Sequence, residues 1–233
     1  MQGRNEVASV HYGNVRKAVF LERPNRFIAR VLLDGEMVVC HVKNTGRCRE
    51  LLVPGAVVYL EHSANPNRKT AYDLIAVEKG DRLINMDAQA PNKVFAEWAT
   101  EFDPSCTVIH SEYSIGKSRL DFCLESSAGL HFVEVKGVTL EDNGHARFPD
   151  APTERGIKHL HELIRLTEEG HRTTAFFVIQ MDNVLDFSPN DATHPAFGEA
   201  LRLAVAHGVH VAAYSCSVTP DTLRIMAPVP VLL

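Results

Sequence analysis

The sequence has no long apolar stretch and no recognisable leader. Its apolar runs are short, such as AVVYL at 56–60 and VPVLL at 229–233, whereas a transmembrane helix needs roughly 20 apolar residues. The N-terminal segment MQGRNEVASV lacks the apolar core of a secretory signal. We therefore expect a cytoplasmic protein with no membrane partner.

Cysteine is scarce and unpatterned. The five residues are an odd number with no C-x-x-C pair, which argues against a disulfide framework and against a structural zinc site. We expect these thiols to be reduced and mostly buried. They are Cys40, Cys48, Cys106, Cys123 and Cys216.

The composition is that of an ordinary globular protein, but its charge is unevenly distributed. Hydrophobic residues make up 45% and charged residues 23% of the 233, which excludes wholesale disorder, coiled coil and collagen. The net charge of −5 divides into +4 for residues 1–86 and −9 for residues 87–233. A basic first third suggests an anionic partner. A chance imbalance on a solvated surface explains so small a difference equally well.

Residues 1–86 show short strand patterns and almost no helix pattern. Asp34-Gly35 and Pro54-Gly55 are strong turn signals between β-rich runs. Five short strands in succession predict a small β-barrel, and the OB-fold is the five-stranded barrel that commonly binds nucleic acid. The predicted strands are 26–33, 36–42, 56–63, 71–80 and 82–86.

The pattern changes after Met86, where helices and strands alternate. Their order, α-β-β-α-β-α-β, predicts a mixed sheet with flanking helices over residues 87–233. The predicted helices are 92–100, 153–169 and 195–207, and the predicted strands are 118–125, 130–136, 173–180 and 209–215.

The hairpin of strands 118–125 and 130–136 carries Asp121, Glu134 and Lys136. Because side chains alternate along a strand, Glu134 and Lys136 share a face, and strand pairing can put Asp121 beside Glu134. Two neighbouring carboxylates repel unless a cation lies between them, and hard oxygen ligands favour Mg²⁺ or Mn²⁺. A lysine beside such a metal suits phosphodiester hydrolysis. A plain surface ion pair between Lys136 and a carboxylate is the alternative.

The chain resembles the sugar fermentation stimulation protein A family over nearly its whole length. The resemblance implies an N-terminal OB-fold followed by a PD-(D/E)xK nuclease-like domain, DNA binding with little sequence preference, and a link to the regulation of sugar (maltose) utilisation. This chain departs from the family in a longer N-terminus and in VKN at 42–44. The segments that carry the resemblance are RPNRF (23–27), HVKNTGR (41–47), LLVPG (51–55), NPNRK (65–69), SRLDF (118–122), VEVKGVTL (133–140) and ARFPDAPTERGIKHLHEL (146–163).

The nuclease pattern of the family maps onto Asp121, Glu134 and Lys136, with Glu97 on the preceding helix as a further acid. We expect Asp121, Glu134 and the backbone carbonyl of Val135 to bind one divalent metal ion. We expect Lys136 to position the attacking water and Glu97 to complete the site.

Basic residues of the first domain are the candidates for binding nucleic acid. Few aromatic residues lie near them, so we expect phosphate contacts to dominate and binding to be salt-sensitive and poor at reading sequence. Two basic residues at the start of the helix that follows the lysine strand are candidates against the scissile phosphate. The full set is Arg23, Arg26, Arg30, Lys43, Arg47, Arg68, Lys69, Arg155 and Lys158.

Two classes of function remain open at this point. The first is a metal-dependent phosphodiesterase, or endonuclease, that acts on DNA. The second is a non-cleaving DNA-binding regulator that keeps the nuclease fold without turnover. RNA binding by the OB-fold is also compatible with the sequence.

Overall fold

The computed structural model describes residues 9–44, 46–116 and 118–233. Most of the N-terminal segment on which the expectation of no leader depends lies outside these residues. The helices are α1 (Ala90–Phe102), α2 (Glu154–Glu168) and α3 (Pro195–Ala206). The strands are β1 (Val10–His11), β2 (Val15–Asn25), β3 (Ile28–Leu33), β4 (Glu36–Val42), β5 (Val57–His62), β6 (Tyr72–Lys79), β7 (Arg82–Asn85), β8 (Val108–Ile115), β9 (Ser118–Ser126), β10 (Gly129–Val138), β11 (Leu140–Asp142), β12 (His145–Phe148), β13 (Arg172–Ile179), β14 (Asp186–Pro189), β15 (His210–Thr219) and β16 (Thr222–Pro228).

Strands β2 to β6 form a closed barrel. They pair in the order β4-β3-β2-β5-β6, and a short parallel pairing of β4 with β6, at His41↔Asp73 and Val42↔Leu74, closes the ring. Small and branched side chains such as Ala29, Val31 and Val58 point inward and are fully buried. This is the five-stranded closed barrel expected of an OB-fold.

The composition of the ring differs from the prediction in one strand. Strand β2 was not predicted, and β7, which was, pairs only with β6 at the margin of the barrel. Strand β2 is difficult to recognise because its alternation is clear only around Ala18 and Phe20. Its register against β3 also shifts twice, before Glu22 and again before Asn25.

Most of the remaining strands build a seven-stranded mixed sheet of order β1-β16-β15-β13-β10-β9-β8, and β11, β12 and β14 form a separate small sheet. The central strands β10, β13 and β15 are parallel, and β8, β9 and β16 are antiparallel to their neighbours. Phe95 of α1 packs on one face, against Phe122 and Phe176. Buried residues of α2 and α3 pack on the other, with Phe132 and Phe177. The predicted class, a barrel followed by a mixed sheet with flanking helices, is confirmed.

Strand β1 links the two parts of the molecule in an unexpected way. It precedes the barrel in the chain, yet Val10 and His11 pair with Leu223 and Thr222 of β16 at the edge of the seven-stranded sheet. The N-terminal segment therefore completes the second sheet before the chain enters the barrel.

Helix α2 begins and ends where local sequence signals predict. The hydroxyl of Thr153 accepts a hydrogen bond from the amide of Gly156 at 3.1 Å and caps the first turn, and Gly170 follows the helix with φ +91°. Strand β8 was not predicted. Its backbone is irregular at Glu112, where φ is 55° and the pairing with β9 skips one position without a change of register. Among the described residues no helix is both long and apolar enough to cross a membrane.

Candidate metal and nucleic-acid site

The pairing of β9 with β10 brings the predicted acids together. The register pairs Cys123 with Phe132 and Phe122 with Val133, so the next step along the ladder would set Asp121 opposite Glu134. At that step the backbone pairing of β9 with β10 ends, and the side chain of Asp121 bonds to β10 instead. Its Oδ2 accepts a hydrogen bond from the backbone N–H of Val135 at 2.8 Å. The carboxylate of Asp121 is thereby held against β10 where Glu134 and Lys136 lie.

Glu134 is a buried carboxylate with one engaged oxygen and one free oxygen. Its Oε1 accepts hydrogen bonds from Nζ of Lys136 and from Nδ1 of His159 on α2. Its Oε2 is buried and has no hydrogen-bond partner within the described part of the chain. Burial raises the pKa of Glu134, but His159 and Lys136 outweigh it and bring the pKa below its ordinary value. The group is therefore charged at neutral pH.

The pKa of Asp121 moves in the opposite direction. Burial raises it first, and the negative charge of Glu134 raises it further. A hydrogen bond of 2.9 Å from Nδ2 of Asn92 to Oδ1 and the bond from Val135 oppose the shift only in part. The two carboxylates thus interact electrostatically, and their environments move their pKa values apart, a pattern typical of functional pairs.

Glu97 does not reach this pair. It is exposed, and its Oε2 accepts a hydrogen bond from the backbone N–H of Ser9 at 2.7 Å. The α1 residue that contacts Asp121 is Asn92, five positions earlier, which lies about 140° around the helix. Sequence reasoning did not single out Asn92, because nothing local indicates which face of α1 meets β9.

The pair is suited to a divalent cation although it is small. Among the described residues no group of three or more His, Cys, Asp or Glu side chains is placed to hold a metal ion. Asp121 and Glu134 are two hard oxygen donors, and a buried carboxylate oxygen without a partner is costly unless a cation or donor reaches it. These two residues fit a metal on that ground. A ligand role for the Val135 carbonyl stays a prediction.

A cleft of about 1000 Å³ opens between the barrel and the second sheet, and neither carboxylate of the pair lines it. Its wall includes Gly137, directly after Lys136, and Thr153, the cap of α2. Gly156 and His159, in the first turns of that helix, border a small cavity lined by Glu134 and Lys136. The arginines in the cleft lining are Arg23, Arg26, Arg47, Arg49 and Arg147.

Several residues predicted to bind nucleic acid are engaged within the protein. Nζ of Lys43 lies 2.8 Å from the fully buried carboxylate of Asp87. Arg30 pairs with Glu22. Arg68 pairs with Asp73 through both terminal nitrogens, at 2.7 and 2.5 Å. These three cations are not available to a polyanion without breaking an ion pair.

Arg23 lines the cleft but serves the barrel itself. Its guanidinium donates to four backbone carbonyls at 2.7 to 3.0 Å, those of Arg26, Asn44, Gly46 and Arg47. It holds together the two loops that form one wall of the cleft. Its role in the structure is therefore to shape the wall.

The other candidates lie in three places. Arg26 and Arg47 line the cleft and are exposed. Lys69 is exposed on the barrel, outside the cleft. Arg155 and Lys158 are exposed on the first turns of α2, and Nε of Arg155 donates to Nε2 of His159 at 3.4 Å. Arg49 and Arg147 also line the cleft and were not predicted.

Comparison with known proteins covers both parts of the chain. The family described as "SfsA N-terminal OB domain" matches residues 21–86, and "Sugar fermentation stimulation protein RE domain" matches residues 89–222. A sugar fermentation stimulation protein homolog of Desulfitobacterium hafniense (strain Y51) is 53% identical over 91% of this chain and 94% of its own. One from Clostridium beijerinckii is 50% identical over 95% and 99%.

A solved structure agrees with the fold. The SfsA of Pyrococcus furiosus, solved in complex with Ca²⁺, superposes with a TM-score of 0.87 at 30% identity and covers 96% of this chain and 98% of its own. The OB-fold followed by a mixed sheet with flanking helices is thus confirmed.

Proposed function

The chain belongs to the sugar fermentation stimulation protein family, and from this premise we propose that it binds DNA without sequence preference and cleaves it by metal-dependent hydrolysis. The proposal divides the work between residues 1–86, which bind nucleic acid, and residues 87–233, which carry the nuclease site. It keeps the cytoplasm as the site of action.

One observation carries the proposal. A buried glutamate oxygen, Glu134 Oε2, lacks a partner in the described structure and belongs to a carboxylate that also contacts Lys136 and His159. A purely structural carboxylate would be expected to use both oxygens, since an unsatisfied buried acceptor costs about 1–3 kcal/mol. A site that binds a cation supplies the missing partner.

Each residue has a distinct role in this proposal. Asp121 and Glu134 hold a divalent cation, Mg²⁺ or Mn²⁺, and the carbonyl of Val135 is a further candidate ligand. When bound, such an ion stabilises the charge that develops on the phosphate and lowers the pKa of a water. Lys136 adds positive charge and orients the attacking water. His159 and Asn92 hold the two carboxylates in position.

The related Pyrococcus furiosus protein, solved with Ca²⁺, supports a divalent-cation site in this chain. Both proteins share the fold over nearly their full lengths. Calcium and magnesium both prefer oxygen ligands, so a Ca²⁺-binding relative is compatible with Mg²⁺ or Mn²⁺ here.

A second candidate function is a DNA-binding regulator without turnover. It is favoured by the position of Glu97, which faces Ser9 and not the carboxylate pair. A site with two acidic side chains offers a metal ion fewer ligands than a site with three, and this favours DNA binding without catalysis. The sugar fermentation role in the names of the relatives is compatible with either candidate.

The deciding experiment is incubation with single- and double-stranded DNA in Mg²⁺ or Mn²⁺, with EDTA as the metal-free arm. Cleavage that needs metal and is abolished by Glu134→Gln and by Lys136→Ala supports the nuclease. Glu125→Gln is the matched control, since Glu125 lies on β9 and is exposed, where it pairs with His110. DNA binding with no cleavage under any metal supports the regulator. Cleavage that persists in Glu134→Gln contradicts the assigned site.

A further inference from the structure

Arg147 lies in the cleft without a protein partner for its charge. It belongs to β12, which pairs with β11 and β14, and it lines the cleft near Pro149 and Asp150. Its Nε is buried and has no hydrogen bond to any described residue. No described carboxylate lies within ion-pair distance of its guanidinium. A partly buried cation without an anion is unfavourable, so an anionic ligand would relieve it.

The two acids of the cleft lining, Glu22 and Asp150, offset the charge of its five arginines only in part. Oδ2 of Asp150 accepts a hydrogen bond from the backbone N–H of Arg47 at 2.9 Å. Glu22 is paired with Arg30, which lies outside the cleft. The side chains of Arg26, Arg47 and Arg49 have no carboxylate partner among the described residues. The cleft lining therefore keeps an excess of positive charge, five arginines against Glu22 and Asp150, and presents it to a ligand.

The size and shape of the cleft favour a flexible ligand. Its volume, about 1000 Å³, is that of a large small-molecule site and accommodates a short run of nucleotides. A DNA duplex is stiff over about 150 base pairs and cannot bend into such a space at low cost. Phe27 follows the cleft residue Arg26 in the chain and is 51% exposed, so its ring is free to stack on a base.

We propose that the cleft binds one strand of nucleic acid, with Arg147 contacting a backbone phosphate on its floor. Arg26, Arg47 and Arg49 contact neighbouring phosphates, and Phe27, the residue after Arg26, stacks on a base. This inference rests on the proposed function only in taking nucleic acid as the ligand. A strand in this position passes Gly137, the residue that follows Lys136 on β10.

The test measures binding without cleavage. Fluorescence anisotropy in EDTA compares labelled oligothymidine of about 20 nucleotides, the same strand paired with oligoadenine, and oligouridine. Salt is varied from roughly 50 to 200 mM, since each phosphate contact contributes about −0.7 to the slope of log K against log salt for single strands. We expect the single strands to bind more tightly than the duplex.

Two variants and a control locate the contacts. Arg147→Met should weaken single-strand binding and make the slope of log K against log salt about 0.7 less steep. Replacing Arg26, Arg47 and Arg49 together by alanine should make that slope about 2 less steep. Arg224→Ala removes the same charge as Arg147→Met from an exposed position on β16, outside the cleft. Its affinity and slope should stay within error of the wild type.

The outcomes separate this proposal from the nuclease assignment. Duplex binding as tight as single-strand binding, or an unchanged slope in Arg147→Met, overturns it. A lower melting temperature in Arg147→Met also overturns it, because loss of an unpartnered cation should leave stability equal or higher. Preference for thymidine or uridine strands identifies the ligand as DNA or RNA, and either supports a backbone contact. Strand binding in the cleft by a protein that never cleaves supports this proposal and refutes the nuclease.

Discussion

Replacing Gly137 with alanine probes how tightly the candidate catalytic strand is clamped. Gly137 follows Lys136 on β10, and a Cβ added to it would lie 2.5 Å from Oε1 of Gln180 and 2.6 Å from Cγ of Pro91 on α1. Neither neighbour yields easily. Pro91 is a buried ring, and Gln180 is buried with its Nε2 bonded to Oδ1 of Asn85 at 2.8 Å and to the carbonyl of Asp87 at 3.1 Å.

The expected loss follows from the steric overlap. Forcing a methyl group into a packed site costs about 1–3 kcal/mol, and each kcal/mol lowers Tm by about 2–4 °C in a chain of this size. Gly137→Ala should therefore lower Tm by roughly 2 to 12 °C. Since the displaced backbone carries Lys136, we also expect any cleavage to fall more than the stability loss explains.

Gly13→Ala is the matched control for this measurement. A Cβ at Gly13 meets nothing within 4 Å, and its φ does not lie in the left-handed region. Its Tm should equal that of the wild type or rise slightly, as alanine restricts the unfolded chain. Differential scanning calorimetry of both variants decides the matter. An unchanged Tm in Gly137→Ala would refute the clamp between Pro91 and Gln180.

Three further predictions concern charged groups. Lys43→Met should lower the free energy of unfolding, measured by urea titration, by about 3–5 kcal/mol, because it leaves the buried Asp87 without its cation. Lys69→Met, at an exposed site, should leave that free energy unchanged. Burial raises the pKa of Glu141, but its basic neighbours and a backbone N–H lower it to about 2. The stabilising contribution of ionised Glu141 is complete above about pH 4.5 and is lost as the pH falls toward 2. In Glu141→Gln, the urea midpoint should therefore change less with pH over that range. The pKa of Asp121 is raised, so its ionised form costs stability at neutral pH, and Asp121→Asn should raise the Tm of the metal-free protein. In the wild type, Mg²⁺ at 100 times its Kd should stabilise the fold by about 2.7 kcal/mol, and Asp121→Asn should abolish this stabilisation.

Local patterns were sufficient for the elements nearest the carboxylate pair. The alternation of β10 and the capped, amphipathic pattern of α2 depend on contacts a few residues apart, so the sequence shows them directly. The pairing of Asp121 with β10 follows from the short turn between two strands. Strand β2 was missed because its own alternation is weak, its register against β3 shifts twice, and its other partner, β5, is distant in sequence.

The candidate ligands for nucleic acid were harder to predict, because charge alone does not show what a side chain faces. Lys43 and Arg68 are basic and lie in the basic third, yet Lys43 is paired with Asp87 from a distant part of the chain and Arg68 with Asp73, five residues along. Arg147 lies in the acidic part of the chain but projects into the cleft. Such partners become visible only once the strands are assembled.

The pairing of β1 with β16 makes the barrel an insertion within the second unit, not an appendage at its end. The chain leaves the seven-stranded sheet after His11, builds the barrel, and returns at Ala90. Two covalent connections therefore hold the barrel, and a body attached at two points cannot swivel as one on a single linker can. The width of the cleft between the barrel and the seven-stranded sheet is therefore set by these two connections. Deleting residues 1–86 would also remove an edge strand from the remaining sheet, so the two units are better separated by internal excision of the barrel than by truncation.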